Sequence, residues 1–397
     1  MLKKKVLAAA YAPSYAMGQV VLREIGGIQL SSRGLNKTAV KIGNEMTHDR
    51  DARVQAYFQQ SLPRAHAQPA TPIPLACVSV DGGRMQTRTE GKGTGVHDKH
   101  WRETKNALFL RMKSDSFAED PHPELPACYA DRQRMKSLLA GVGEDAARGV
   151  EPSSAAAPPS TQADDWRPER LFRTCVSSLS GSDEFGRMME VEADARGFYH
   201  ARKKAFVSDG LPYNWTIQQQ HFRGFTPILD FVHAVERLYE AARCLDDDAD
   251  RRWQNHLRWA RLCWSGQIEQ VLVELKARQP SLGLPPKDCE KTDPRKLFAD
   301  ALGYFANNAA RMNYPEYRRQ GLPTTSAHME SFVKELNARV KGTEKFWNDG
   351  VSGEAILQLR AAALCDDDRL SRFLENRPGH PFHPNTPATP TSENTAA

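Results

Sequence analysis

Three acidic residues of this chain stand where they could hold metal ions against a phosphodiester. Asp81 closes the apolar, β-branched run Leu75-Ala-Cys-Val-Ser-Val-Asp-Gly-Gly-Arg84, and Asp209 closes Ala205-Phe-Val-Ser-Asp-Gly-Leu-Pro212. Glu330 follows Gly321-Leu-Pro-Thr-Thr-Ser-Ala-His-Met and opens an amphipathic helical pattern. A buried strand that ends in Asp-Gly delivers a carboxylate to the edge of a sheet. Mg²⁺ is a hard cation that takes oxygen ligands and dehydrates reluctantly. Two such ions, about 4 Å apart, can activate an attacking hydroxyl and steady the leaving oxygen of an in-line displacement. Two strand-end aspartates and a helix-borne glutamate suit that task; Mn²⁺ is the natural substitute.

Each residue also has an ordinary reading. Asp-Gly after a strand is a turn signal. On a helix, Glu330 and Lys334 form a simple i,i+4 pair. Carried on at 100° per residue, the pattern sets Glu330, Lys334, Lys341 and Lys345 on one narrow stripe. Val333, Leu336, Val340 and Trp347 fall on the opposite side. Lysines beside a metal-binding glutamate would meet DNA phosphates, releasing counterions. Asp230 and His233 begin the next helical pattern, where Asp230 is a good N-cap and His233 an exposed or capping histidine. The acidic runs Asp246-Asp-Asp248 and Asp366-Asp-Asp368 read as solvated turns, and His380 and His383 as incidental.

The elements that must position these groups follow from pattern. Ala16–Ile25 reads as a helix stopped by Gly26-Gly27, and Ser31 or Ser32 caps a second helix. On that second helix Leu35, Ala39, Ile42 and Met46 share one side, while Arg33, Lys37, Lys41 and Asn44 share the other. An apolar face backed by a basic one suits a helix lying in a DNA groove; it also describes a solvated helix surface. After a Pro-rich linker at 64–74, strands are expected over Leu75–Val80, Arg84–Arg88 and Thr104–Met112 as an antiparallel meander. A short helix is expected over Ala130–Leu139, and Glu151–Thr161 is low-complexity. Further on come a helix from Ser182 or Asp183 to Ala195, strands at Ala205–Ser208 and Thr226–Leu229, a helix over Phe231–Arg243 and a helical block to 310.

The bulk numbers agree with a multi-domain globular chain. It has 397 residues, 40% hydrophobic and 26% charged, with a net charge of +5. That charge permits a nucleic-acid partner without demanding one. Seven scattered cysteines with no C-x-x-C pair suit a reducing cytoplasm and exclude a zinc ribbon. No apolar run is long enough to span a bilayer. The start, Met1-Leu-Lys-Lys-Lys-Val-Leu-Ala-Ala-Ala-Tyr-Ala12, mimics an export signal but reads better as the basic beginning of a helical domain. No Walker loop, dinucleotide fingerprint or Gly-x-Ser-x-Gly elbow is present.

Together, Val78-Ser-Val-Asp-Gly82, Val207-Ser-Asp-Gly210, Ile228-Leu-Asp-Phe-Val-His-Ala234 and Gly321–Glu330 resemble the DDE transposases of bacterial insertion sequences in the Mutator-like group, with the IS-Kra-type branch most similar. Arg339–Trp347 and Ala355–Ala361 resemble that branch's segment after the catalytic glutamate. Ser208-Asp-Gly-Leu211 departs from the family's Gly-Asp-Gly-Ala. The resemblance implies an α/β, RNase H-like mixed sheet with flanking helices, an all-helical insertion and an N-terminal helix-turn-helix-like domain. The first and fourth strands of such a sheet lie side by side. It implies Asp81, Asp209 and Glu330 as the metal-binding catalytic triad, and Asp230 and His233 as the motif after the second aspartate. The expected organisation is a DNA-binding domain over 1–66, core segments over 67–116, 170–240 and 321–375, a variable insertion over 117–169, a helical insertion over 241–320 and a tail over 376–397. The implied activity is Mg²⁺-dependent cleavage and strand transfer at inverted-repeat ends. Its partners would be double-stranded end and target DNA and at least a second copy of the chain, in the cytoplasm at the nucleoid. The alternatives are a non-catalytic DNA-binding derivative and an RNase H-like nuclease without strand transfer.

Overall fold

The computed structural model describes residues 1–88, 100–135, 166–342 and 345–377. Its centre is a six-stranded mixed sheet: β1 (Leu75–Thr87), β2 (Trp101–Lys113), β3 (Glu169–Ser178), β4 (Lys203–Ser208), β5 (Thr226–Leu229) and the short β6 (Phe346–Trp347). The order is β3-β2-β1-β4-β5, with β6 on the far end of β1. β1, β2 and β3 pair antiparallel, whereas β1–β4 and β4–β5 are parallel. Every residue from Leu75 to Val80 is buried, so both faces of β1 are covered there.

The expected meander is corrected in one respect. β1 does not turn at Asp81-Gly82-Gly83 but runs on to Thr87, with Gly82 opposite Lys105 and Gly83 opposite Thr104. The glycines serve the neighbouring strand: a Cβ at Gly83 would sit 2.6 Å from Thr104 Oγ1 and 2.8 Å from Asn106 Nδ2. Close cross-strand approach, rather than a turn, selects Gly there. The third antiparallel strand is β3, whose charged first half (Glu169-Arg-Leu-Phe-Arg173) hides its strand character.

The N-terminal region is helical: α1 (Leu2–Tyr11), α2 (Tyr15–Glu24) and α3 (Ser32–Phe58). Ser14 and Ser31 cap α2 and α3 through their side chains. Gly27 takes a left-handed φ of 63° after α2. Arg33, Lys37, Lys41 and Asn44 lie exposed on α3, opposite buried Leu35, Ala39 and Ile42.

The rest is α4 (Ala127–Ala130), α5 (Ser182–Ala195), α6 (Pro212–His221), α7 (Phe231–Leu245), α8 (Ala249–Trp264), α9 (Ile268–Leu282), α10 (Pro294–Asn308), α11 (Tyr314–Arg319), α12 (Ala327–Val340), α13 (Gly350–Ala363) and α14 (Arg369–Glu375). α12 and α13 pack on the antiparallel half of the sheet, and α3 lies across α13. The low-complexity stretch Glu151–Thr161, His380, His383, and much of the helix expected over Ala130–Leu139 lie outside the described residues. Among the described residues no helix is long and apolar enough to cross a membrane.

The two acidic runs are not alike. Asp248 caps α8, accepting from Asp250 N and Arg251 N, as an ordinary exposed turn does. Asp367 is instead half-buried, 3.0 Å from Arg369 and 2.8 Å from Arg196. Glu192 lies buried in the same network, 2.6 Å from Arg369.

Candidate active site

Parallel pairing of β1 and β4 sets the geometry. Their last paired residues are Val80 and Ser208, so Asp81 and Asp209 are the next residues on two adjacent strands. Such neighbours are about 4.8 Å apart across the sheet. β4 ends here and β5 ends at Leu229, followed at once by Asp230. Asp209 and Asp230 thus share the crevice at the carboxyl ends of two parallel strands, the usual position for a site in an open α/β sheet.

Asp209 is held by its own turn. Its Oδ1 accepts from Leu211 N at 3.1 Å, Asn214 Nδ2 at 2.8 Å and Ser208 Oγ at 3.2 Å. Its carbonyl accepts from the Tyr304 hydroxyl at 2.8 Å. Gly210 has φ 92°, and a Cβ there would meet the Tyr304 ring at 2.7 Å. Only glycine lets the chain turn beneath that ring.

Asp230 is fully buried and its acceptor capacity is used up. Oδ1 takes Val232 N at 3.3 Å and Ser326 N at 2.9 Å; Oδ2 takes His233 N at 3.3 Å and His233 Nδ1 at 2.5 Å. A carboxylate offers about four lone-pair sites, and all four are occupied. Asp230 is therefore the α7 N-cap, as pattern alone reads it, and also the clamp that ties the start of α12 to α7. Burial opposes its charge, but the His233 hydrogen bond and imidazolium hold its pKa below the usual range. Burial likewise opposes a charged His233, yet Asp230, with Asp209 and Asp81 behind it, raises the imidazole to about 10. His233 is thus a cation at neutral pH, set among carboxylates.

Glu330 sits in the first turn of α12, where the helix dipole favours a carboxylate. Burial raises its pKa, as does Asp230, while His233 and Lys334 oppose the shift. Its Oε1 is buried without a hydrogen-bond partner. The Asp81 carboxyl is pushed up to about 7, first by burial and then by Asp209, with Glu330 adding to it against His233. The structure thus brings Asp81, Asp209, Glu330, Asp230 and His233 into one electrostatic cluster.

It does not bring the lysine stripe with them. α12 stops at Val340, and Lys341 is already extended. Lys345 and Trp347 lie beyond the helix, Trp347 on β6. Of the expected stripe only Lys334 remains beside Glu330. A helical projection fails past Val340, where the chain turns extended at Lys341.

Other groups at the site carried little sequence signal. The Tyr213 ring lies beneath the Lys105 ammonium, 5.1 Å from its centroid, and its buried hydroxyl has no hydrogen-bond partner. Burial, then Asp209, Glu103 and Asp81, raise its pKa. Asn214, five residues after Asp209, was within reach of local reasoning. Tyr304 was not, because it arrives from the helical block 95 residues away.

The donor chemistry suits a hard divalent cation: oxygens, one of them a buried carboxylate oxygen without a partner, in a cluster with surplus negative charge. Among the described residues no three His, Cys, Asp or Glu side chains form a ready metal-holding group. Mg²⁺ does not demand one, since it is commonly held by one or two carboxylates together with waters and substrate phosphates.

No family model matches the chain, and no curated protein matches it. A solved structure that does is the Drosophila P element transposase strand transfer complex, at 8% identity and a TM-score of 0.29, covering 88% of this chain and 96% of that one.

Proposed function

We propose that this protein is a DNA transposase with an RNase H-like core, acting by Mg²⁺-dependent phosphodiester cleavage and strand transfer. The observation that carries the reading is the placement of Asp81 and Asp209 as successive neighbours on parallel β1 and β4, with Glu330 in the same charge cluster. Asp81, Asp209 and Glu330 would hold the divalent cations, which supply charge neutralisation and an activated oxygen nucleophile. Asp230 keeps the α12 start against α7, which would hold Glu330 toward the strand ends. His233 partly offsets the carboxylate charge. Arg33, Lys37 and Lys41, exposed on α3, and Lys334 beside Glu330 would meet DNA phosphates, each neutralised phosphate adding to the salt dependence of binding. Paired ends and target would require at least two copies of the chain.

The test is nicking of supercoiled plasmid, and joining of a pre-cut 3′ end, in Mg²⁺ or Mn²⁺. Asp81→Asn, Asp209→Asn and Glu330→Gln should each cut at least about 100-fold more slowly, with DNA affinity retained. Equal cleavage by Asp81→Asn and the wild type would dismiss the reading. The lack, among the described residues, of a three-ligand group favours one alternative: a DNA-binding derivative that does not cut. It predicts DNA binding with no nicking in either metal. Nicking without joining would mark a nuclease.

A further inference from the structure

At the other end of α12, about 13 Å from Glu330 along the helix axis, a second cavity has chemistry of its own. It measures about 260 Å³ and is lined by Tyr15, Asn36, Arg339, Lys345, Phe346 and Trp347, among others. That is just below the usual range of about 300–1,000 Å³ for small-molecule sites and more than a bare phosphate needs. Arg339 is only 3% exposed. Its guanidinium stacks 4.3 Å from the Tyr15 ring centroid and 5.2 Å from that of Trp347, and its Nε donates to Ala9 O at 2.9 Å. Among the described residues its buried Nη2 makes no well-aligned hydrogen bond, nor does the Tyr15 hydroxyl, although the two lie close enough to interact.

Lys345 is the second cation, with Nζ donating, among the described residues, to the Ala338 carbonyl at 3.1 Å. Among the described residues no carboxylate lines the cavity; Glu344 lies outside them. Burial lowers the pKa of both cations, and Arg339 lowers that of Lys345 further. An uncompensated buried cation is costly. An anion entering the cavity would relieve that cost and give the guanidinium a well-aligned acceptor. Pro13 and the rings of Tyr15, Phe346 and Trp347 form an apolar side, Ser14, Asn348 and Ser352 add polar groups to the wall, and the Asn36 amide can read a ring edge.

We propose that this cavity binds a nucleoside monophosphate, its phosphate on Arg339 and Lys345 and its base against the apolar wall beside Asn36. The ligand could be a free nucleotide or the 5′-phosphorylated end of a DNA strand. The site does not depend on the carboxylate cluster, so loss of nicking activity would not bear on it.

Titration calorimetry on the full chain tests this with deoxyadenosine 5′-monophosphate, inorganic phosphate and deoxyadenosine. The nucleotide should saturate the protein, with each half at least tenfold weaker. Lys345→Ala, at a part-exposed position, should weaken nucleotide binding about tenfold, and Asn36→Ala should weaken the nucleotide but not phosphate. Arg339→Lys should retain more affinity than Arg339→Met. A 5′-phosphorylated hexadeoxynucleotide that competes with the nucleotide, where its 5′-hydroxyl form does not, identifies a strand end. Competition by the mononucleotide alone identifies a free nucleotide. No saturable heat with any probe, or nucleotide binding unchanged in both Lys345→Ala and Asn36→Ala, overturns the assignment.

Discussion

Asp230 shows how one buried side chain can tie two helices together. Its carboxylate satisfies three backbone N–H groups and one imidazole N–H, and it is fully buried. Asp230→Ala would strand all four donors, one of them on a cation. Removing one partner of a buried pair costs about 3–5 kcal/mol, more than a lost cap alone. The expected outcome is a lower urea midpoint together with loss of DNA cleavage. Asp230→Asn, which keeps an acceptor for the cap, should recover part of the stability. A change in activity without any change in stability would mean that Asp230 does not clamp α12.

At the scale of elements, the contact between α3 and α13 is the most constrained. A Cβ on Gly43 would sit 2.2 Å from the Ala355 carbonyl oxygen, so the two helix backbones touch. Arg50 reinforces the crossing with an ion pair to Glu354 at 2.5 Å. Alanine is worth about 1 kcal/mol over glycine in a helix, but overpacking costs about 1–3 kcal/mol. Gly43→Ala should therefore destabilise by up to about 2 kcal/mol. Gly303, in α10, has nothing within 4 Å of its hypothetical Cβ. There propensity acts alone, and Gly303→Ala should stabilise by up to about 1 kcal/mol. Thermal denaturation of the pair tests both signs.

Over the whole molecule, acid stability should bear the mark of His256. The ring is fully buried in α8, its centroid 5.2 Å from Trp253 and 5.4 Å from Tyr239, and both nitrogens lack partners. Burial pushes its pKa down to about 4. The unfolded chain, with histidine near 6.5, binds the extra proton first. The neutral ring's contribution is thus intact above about pH 6.5 and is lost as pH falls toward 4, by an amount on the order of 3 kcal/mol. His256→Leu should flatten the fall in denaturation midpoint between pH 7 and 4.5. An unchanged slope would show that the ring reaches solvent or a partner.

The sequence by itself determined many of the local elements and some of their caps. Thr226–Leu229 was legible as a strand from its apolar run, and the caps of α2 and α3 from the serines that precede them, because these signals act within a few residues. Asp81, Asp209 and Glu330 were legible as candidates because each follows or opens such an element. What only the tertiary structure decided was contact between distant segments. Parallel pairing put Val80 beside Ser208, and the fold brought Tyr304 over Gly210 and Arg339 between Tyr15 and Trp347. It also turned Gly82-Gly83 from an expected turn into strand, and ended α12 before its lysines could form a stripe. The physical reason is common to these cases: periodicity reports which side of an element is apolar, whereas the neighbour that covers that side is chosen by packing over the whole chain.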